Sequence, residues 1–359
     1  MFNIRFLPGV EALSTEGKKA RKHRIWGETR LVQAATTTNS KWDRKRMDEL
    51  EQWVAYHRLQ AAEGKCASYI PALRRADPTQ LGICMIEPSG HKITAGDWEV
   101  PFTMQSISKV VSFIAACCHH GISYVLDRVD VEPTGDAFNS IIRLEMHKPG
   151  KPFNPMINAG AITVSSLLPG DTPEQKLDYL YKFFQKITAT APVVNEEVFV
   201  SEWMTSHRNR ALSHYLKDTG YLDCEVEEAL EVYLKQCSIQ VNTEQIALIG
   251  LILALDGYHP LRGEQILPKQ VVRLAKALML TCGMYDASGK FAAYVGLPAK
   301  SGVSGGIMTL VPPTLKRESP FPDGCGIGIF GPAIDSCGNS VAGVSLLKQI
   351  AHEWDVSIF

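Results

Sequence analysis

The sequence predicts an α+β fold in which one antiparallel sheet is built from both ends of the chain and flanked by helices. Short runs of β-prone residues lie near the two ends, and residues 105–280 between them place apolar side chains mainly at helical spacing. Strands, then many helices, then strands is the order expected when a large helical region is inserted into a discontinuous sheet domain. The predicted strands are residues 81–86, 91–95, 291–295, 305–311 and 325–330.

Length and composition agree with an enzyme-sized protein that has a large core. The chain has 359 residues, 45% of them hydrophobic, and a formal net charge of -1. At about 100 to 200 residues per domain, the length predicts either two domains or one large domain with a tail. Residues 1–40 contain a basic cluster and a polar run without apolar periodicity, so we expect a poorly ordered tail there. The predicted domains are a sheet domain of residues 65–104 plus 291–359 and a helical domain of residues 105–290.

Local sequence patterns predict the positions of the helices and of the first hairpin along the chain. Apolar residues recur at helical spacing after Trp42 and Gly64 offers a stop, so the first helix is expected between them. The turn composition of residues 87–90 joins the first two strands into a hairpin. Further helices are expected behind a capping box of Asp171 and Glu174, near Asn242, near Pro268 and at residues 341–351.

Charge, cysteine usage and hydropathy limit the class of function. A net charge close to zero argues against bulk electrostatic binding of nucleic acid or an anionic membrane. Nine cysteines without a C-x-x-C pair fit neither a disulfide framework nor a zinc ribbon and favour a reducing compartment. The N-terminus lacks the apolar core of a secretory signal, and the apolar run at residues 246–255 is shorter than the about 20 residues that span a membrane. We therefore expect a cytoplasmic protein without metal, cofactor, nucleic-acid partner or membrane partner.

A glycine pattern near the C-terminus matches a dinucleotide-binding motif but lacks its context. Residues 326–331 read G-x-G-x-x-G. The functional motif opens a helix within a βαβ unit and has an acidic residue about 20 positions later. Because Pro332 follows at once, we expect no cofactor there.

The strongest chemical pattern is a serine followed three residues later by a lysine. On a helix this spacing places both on one face, so that the amine can take the hydroxyl proton. The pattern occurs at Ser89/Lys92, Ser106/Lys109 and Ser345/Lys348. The first lies in the predicted hairpin turn and the last on the terminal helix, where an exposed lysine is expected. The second opens a run apolar enough to be buried almost all round, and burial lowers the pKa of a lysine towards that of a useful base. A lysine that extends to solvent at the helix mouth is the alternative.

Two further segments combine polar and small residues. Residues 300–306 form a glycine-rich bend before a strand, which is either a bulge or a place where a backbone N–H completes an oxyanion hole. In the second case Lys300 supplies positive charge and, as a second cation, lowers the pKa of Lys109 further. Asn154 and Asn158 lie among apolar residues, and a buried amide needs partners, either as a helix cap or with a polar ligand.

Taken together, these segments resemble the glutaminase family, serine-dependent amidohydrolases with a fold similar to that of β-lactamases, transpeptidases and penicillin-binding proteins. The resemblance covers about residues 42–357 and implies that fold for this chain. The matching segments, in the family's order, are Tyr69-Ile70-Pro71, Pro101-Phe102, Gln105 to Val110, Asn154 to Ile162, Cys282 to Tyr285 and Val295 to Val303.

The resemblance implies hydrolysis of L-glutamine to L-glutamate and ammonia through a γ-glutamyl ester on Ser106, with Lys109 as the general base. It also implies that Tyr233 and Tyr285 relay protons or orient Ser106. The oxyanion is expected between the backbone N–H groups of Ser106 and Val303, and one such donor is typically worth about 2.7 to 4 kcal/mol in the transition state.

Glutamine is a zwitterion, so its site has to pair both a cation and an anion. The resemblance assigns Glu202 to the α-ammonium group and Tyr69, Asn158 and Asn209 to the remaining contacts. An acylated α-amine would leave Glu202 buried and unpaired, which predicts selectivity for free glutamine. The resemblance further implies a homo-oligomer, either a dimer or a tetramer.

Two alternatives remain at this point. One is another serine amidohydrolase of the same fold, such as a β-lactamase or a transpeptidase, and the missing secretory signal argues against it. The other is a catalytically inactive interaction or dinucleotide-binding protein of this fold. The presence of every residue type that the reaction needs, from Ser106 and Lys109 to Glu202, argues against the second.

Overall fold

A computed structural model of the chain describes residues 40–146, 150–316 and 319–359. The tail predicted for residues 1–40 lies outside them except for its last residue. None of the helices in the described ranges is long and apolar enough to cross a membrane. The helices are α1 Ser40–Arg58, α2 Ser108–His120, α3 Ile122–Arg128, α4 Ile142–Met146, α5 Asn158–Ser166, α6 Pro173–Thr188, α7 Glu196–Thr205, α8 His207–Asp218, α9 Val226–Cys237, α10 Thr243–Ala254, α11 Lys269–Cys282, α12 Ser288–Tyr294 and α13 Val341–Glu353. The strands are β1 Gly82–Ile86, β2 Lys92–Gly96, β3 Phe102–Thr103, β4 Val193–Val194, β5 Ile239–Val241, β6 Tyr258–His259, β7 Glu264–Gln265, β8 Ala299–Ser301, β9 Gly306–Val311 and β10 Cys325–Phe330.

The main sheet joins the two ends of the described chain. Its strand order is β2-β1-β10-β9-β8, and every neighbouring pair is antiparallel. Gly82 of β1 pairs with Gly96 of β2 on one side and with Phe330 of β10 on the other, so the two early strands and the three late strands meet where β1 pairs with β10. The predicted α+β fold with a sheet from both chain ends is confirmed. The boundaries drawn between a sheet domain and a helical domain stay a prediction.

Helices cover both faces of this sheet. Ile83 and Met85 of β1 belong to the core shared with α1 and α13, whereas Cys84 and Ile86 face the opposite way, onto α10. Successive side chains of a strand point to opposite faces, and both faces here are covered. This explains why β1 reads as a continuous apolar run rather than as an alternation.

The glycine pattern of residues 326–331 serves the packing of α10 on the sheet. A Cβ atom on Gly326 would overlap the carbonyl oxygen of Ala247, and one on Gly328 would overlap the carbonyl oxygen of Thr243. Glycine therefore allows the backbone of α10 to lie directly on β10, because it has no side chain to hold the helix away. The motif is explained by packing without any ligand.

We expect Gly328→Ala to lower the free energy of unfolding by about 1 to 3 kcal/mol, because the new methyl group has to displace the α10 backbone. Urea denaturation monitored by circular dichroism measures the change. Gly289→Ala is the matched control, since no atom lies within 4 Å of its added Cβ in the exposed part of α12, and we expect it to be neutral or slightly stabilising. Equal stability of the two variants would contradict the packing role.

Two local predictions were wrong, and each has a physical reason. Residues 291–295 are not a strand: Phe291 and Val295 are both buried at a spacing of four residues, and residues up to Tyr294 form α12. A short apolar run fits both the two-residue repeat of a strand and the 3.6-residue repeat of a helix, and these residues form a helix. The cap of α6 is Thr172, whose side chain accepts from the Gln175 N–H, and not Asp171.

The predicted first hairpin, the helix after Trp42 and the helices near Asn242 and Pro268 are confirmed. The helix predicted at residues 341–351 is also confirmed, as α13.

Candidate active site

A polar cleft holds most of the residues predicted from the sequence. Lys109 and Tyr285 are buried beside it and contact its lining residues. The predicted residues that line it are Tyr69, Ser106, Asn158, Glu202, Asn209, Tyr233 and Val303.

Ser106 lies in a short 3-10 turn, Gln105–Ile107, that continues directly into α2. Gln105, the residue before it, has a φ of 48°, in the left-handed region that only glycine adopts without cost. The Ser108 hydroxyl donates to the Gln105 carbonyl at 2.7 Å and helps to hold this turn. Because the first N–H groups of a helix have no partner within the helix, the Ser106 N–H is available at the cleft.

Lys109 is fully buried, as the apolar run after it predicted. Its amine donates to Met156 O at 3.1 Å and to Asn158 Oδ1 at 2.7 Å. Burial lowers the pKa of Lys109 to about 8, although the nearby Cys237 and Glu202 act in the opposite direction. A neutral amine has two hydrogens and one lone pair, so its two hydrogens match the two acceptors and the lone pair stays available.

The two asparagines of the small-residue segment have different roles. Asn154 Oδ1 accepts from the backbone N–H groups of Met156 and Ile157, which is a capping role. Asn158 belongs to the site. Its Oδ1 also accepts from the Tyr233 hydroxyl at 3.2 Å, and its Nδ2 donates to Asn209 Oδ1 at 2.9 Å. The network fixes the orientation of both amides and links the buried amine to the cleft.

Tyr285 connects Ser106 to the strand β8. Its side chain lies near that of Ser106, which acts against the effect of burial on the pKa of Tyr285, and its hydroxyl donates to Ser301 O at 3.1 Å. Tyr285 has a φ of 57°, so positive φ angles occur at two non-glycine residues next to Ser106 in space. Burial raises the pKa of Tyr285, so this phenol remains protonated near neutral pH.

Lys300 differs from the expectation drawn from the sequence. It is fully buried, its amine donates to Ser301 O at 2.7 Å, and it lies 4.3 Å from the centre of the Tyr285 ring. Burial, together with the charge of Lys109, holds the pKa of Lys300 well below its usual value. The amine is therefore disposed to be neutral, and the lowered pKa of Lys109 is due mainly to burial rather than to a second cation.

The bend of residues 300–306 is the hairpin turn between β8 and β9, and it carries Val303. Gly302 N–H donates to Gly306 O at 2.8 Å and Gly305 N–H donates to Gly302 O at 2.9 Å. The turn packs onto the segment before Ser106, because Ser304 Oγ donates to Thr103 O at 2.7 Å. Val303 lines the cleft together with Ser106, and within the described chain its N–H has no backbone carbonyl partner.

Glu202 of α7 supplies the negative charge of the cleft. It is 9% exposed, and burial raises its pKa to about 7, against the opposing effects of Gln105 and Lys109. Gln105 Nε2 lies 3.4 Å from Glu202 Oε2. Among the described residues no group of three or more histidine, cysteine or acidic side chains could hold a metal ion.

The cleft also contains residues that the sequence did not reveal. Gln105 contacts Glu202, and Phe138, Asn139 and Arg208 form part of the wall. Gln105 and Arg208 directly precede Ser106 and Asn209 in the sequence, so proximity to predicted residues was the available indication. Phe138 and Asn139 come from a loop between α3 and α4 that has no motif of its own.

Comparisons with known proteins show the family of this chain. A model of the glutaminase family matches residues 64–359. Glutaminase 2 of Bacillus cereus is 69% identical over 310 residues, which cover 86% of this chain and 95% of that protein. A crystal structure of a probable glutaminase from Bacillus subtilis has a TM-score of 0.84 at 64% identity, and the match covers 88% of this chain and 98% of that one.

A second structure shows covalent chemistry in a similar protein. It is a Bacillus subtilis glutaminase in covalent complex with 5-oxo-L-norleucine, formed by reaction of that protein with 6-diazo-5-oxo-L-norleucine. Its TM-score is 0.80 at 61% identity, and the match covers 87% of this chain and 99% of that one. The resemblance drawn from the residues is confirmed by the family model and by these relatives. The chain belongs to the glutaminase family of hydrolases.

Proposed function

We propose that this protein hydrolyses L-glutamine to L-glutamate and ammonia through a γ-glutamyl ester on Ser106. The observation that carries the proposal is the environment of Ser106. It lies in the turn that leads into α2, three residues before the buried Lys109 of lowered pKa, and the Tyr285 side chain lies beside it. It also lies in a cleft with Glu202. These are a nucleophile, a base and a carboxylate for an α-ammonium group in one site.

In the first step Ser106 Oγ attacks the γ-amide carbon of glutamine. The hydroxyl proton passes to the neutral amine of Lys109, directly or through Tyr285, and a C–O bond forms as the carbonyl becomes an oxyanion. The N–H groups of Ser106 and Val303 stabilise that charge. Preorganised backbone donors do this without reorientation, and each is typically worth about 2.7 to 4 kcal/mol.

Collapse of the tetrahedral species breaks the C–N bond. The proton held by Lys109 goes to the leaving nitrogen, so ammonia departs and the ester remains on Ser106. A water molecule then attacks the ester carbonyl with Lys109 again as the base, and glutamate and the free Ser106 hydroxyl are released. Lys109 thus ends each half-reaction in the state in which it began.

Substrate recognition is assigned to the amino-acid end of glutamine. Glu202 binds the α-ammonium group, and Tyr69, Asn158 and Asn209 provide the polar contacts around the rest. The Asn158 amide is already fixed by Lys109, Tyr233 and Asn209, which supports a preorganised contact.

The test is the release of glutamate and ammonia by the purified protein, with L-asparagine and a chromogenic β-lactam measured in parallel. We expect release from L-glutamine. A folded protein that opens the β-lactam and leaves glutamine intact would contradict the substrate and favour a β-lactamase. Inactivity on all three would favour a protein that has lost catalysis.

Activity is expected to rise with pH and to level off above about 8. Glu202 has to be ionised to bind the α-ammonium group, and its pKa is raised to about 7. Lys109 has to be neutral to act as a base, and its pKa is lowered to about 8. Both requirements fail as pH falls, so kcat/KM decreases through about 8 and then more steeply below about 7. Measurement of kcat/KM from pH 6 to 8.5, where the α-ammonium group of glutamine stays mostly protonated, checks this, and a flat or falling profile in that range would contradict it.

A cytoplasmic homo-oligomer is also part of the proposal. All nine cysteines are described and all are free, which supports a reducing compartment. The dimer or tetramer rests on the family resemblance alone, and light scattering after size-exclusion chromatography tests it. A monomer at assay concentration would contradict it.

A further inference from the structure

The cleft contains an arginine to which no role has been assigned so far. Arg208 is the second residue of α8, directly before Asn209, and it forms part of the cleft wall. Among the described residues of that wall, Glu202 and Arg208 are the two with a permanent or titratable full charge, and they have opposite signs. The wall therefore has a buried carboxylate and an exposed guanidinium.

The guanidinium is anchored at one nitrogen and available at the others. Arg208 Nε donates to Asn139 O at 2.9 Å. In the part of the chain that the structure describes, no carboxylate lies within ion-pair distance of Arg208, whereas Arg210, two residues later, pairs with Glu227. An arginine has five N–H donors in a fixed planar arrangement that matches a carboxylate. Its two terminal nitrogens thus remain able to bind an anion.

The polar contacts proposed above leave one charge of the substrate, that of its α-carboxylate, without a counterpart. Glu202 neutralises the α-ammonium group, but Tyr69, Asn158 and Asn209 are all neutral. Asn209 Oδ1 is already used by Asn158 Nδ2. An amide can hydrogen-bond a carboxylate, but only a cation pairs its charge.

We infer that Arg208 binds the α-carboxylate of the substrate and makes the enzyme selective for glutamine with a free carboxylate. The inference rests on the proposed function, whose substrate it specifies. Arg208 is a substrate-binding residue in this scheme and takes no part in the chemical steps. Because it is exposed, its contribution is screened by salt.

The test compares two substrates that differ in the charge at the α-carboxyl position. L-Glutamine has an α-carboxylate, whereas L-glutaminamide has a neutral α-amide in its place. We expect Arg208→Gln to raise the KM for L-glutamine by about 5- to 30-fold with kcat within about 2-fold. The kcat/KM for L-glutaminamide, or its inhibition constant against glutamine hydrolysis, should stay unchanged. Arg208→Lys should recover part of the loss, because it restores the charge without the planar geometry.

A charge control and a salt series complete the experiment. Lys217→Gln removes the same charge about 14 Å further along α8, away from the cleft, and is expected to leave both substrates unaffected. Raising the NaCl concentration should raise the KM of the wild-type protein towards that of Arg208→Gln and change the variant little.

The two-substrate experiment distinguishes a failure of the role of Arg208 from a failure of the proposed function. Equal losses on both substrates, or no loss on L-glutamine, would overturn the role of Arg208 while leaving the proposed function in place. A wild-type protein that does not hydrolyse L-glutamine would overturn the proposed function, and the role of Arg208 with it.

Discussion

Replacing Ser106 with alanine is expected to reduce kcat for L-glutamine by on the order of 10⁴- to 10⁶-fold, because it removes the atom that forms the ester. The oxyanion donors are backbone groups and remain in the variant, so the residual rate reports what binding and the oxyanion hole contribute without a nucleophile. The measurement is single-turnover and steady-state release of glutamate by protein that keeps its circular dichroism spectrum.

Ser112→Ala is the matched control for this substitution. Ser112 lies in α2, which follows the turn that contains Ser106. It is fully buried and donates to Lys109 O at 3.3 Å, so the variant loses the same hydroxyl oxygen from a buried position nearby. It should keep most of the activity.

A second readout uses 6-diazo-5-oxo-L-norleucine, with which the Bacillus subtilis relative forms a covalent complex. Mass spectrometry should place the adduct on Ser106 and find none in Ser106→Ala. Labelling that persists in the variant would exclude Ser106 as the nucleophile.

Lys109→Arg is expected to lower kcat by about 10²- to 10⁴-fold even though it keeps a positive charge. An arginine is protonated at every accessible pH and cannot take the Ser106 proton. Lys109→Met, which removes the amine but keeps an unbranched apolar side chain, should give a similar loss. The rise of activity between about pH 7 and 8 should become shallower in both variants, because one of the two ionisations has been removed.

The control here is a second buried lysine that binds only carbonyl groups. Lys176 is 9% exposed and donates to Ser166 O at 2.8 Å and Leu168 O at 2.9 Å, outside the cleft. Lys176→Met should cost stability and leave kcat within a few-fold. If Lys109→Arg has nearly wild-type activity, positive charge rather than proton transfer is what the site needs, and the assignment of the base is wrong.

Local sequence patterns singled out Ser106 and Lys109 as a candidate pair, and the family resemblance then implied their roles. Ser106 and Lys109 differ from the two other pairs of the same spacing because a run of apolar residues follows, and such a run has to be buried. The structure confirms that burial for Lys109. By contrast, the same kind of local pattern failed at residues 291–295, where a run of five residues fits a strand and a helix equally well.

Contacts between distant segments could not be predicted in the same way. Lys300 reads as a cation in the sequence, but its pKa depends on complete burial and on the distance to Lys109, which only the packed fold sets. The positive φ angles of Gln105 and Tyr285 are also invisible in sequence, since neither residue type favours that conformation. Tertiary packing imposes it.

The sequence by itself determined the fold class, the burial of Lys109 and, through the family resemblance, half of the residues that line the cleft. Only the tertiary structure decided which atoms meet. It brought Val303 onto the segment before Ser106, placed Asn158 between Lys109 and Tyr233, and left Arg208 without an acidic partner within the described chain. The physical reason is that hydrogen bonding, burial and pKa depend on distances in space, and these are set by the packing of segments that lie far apart in the chain.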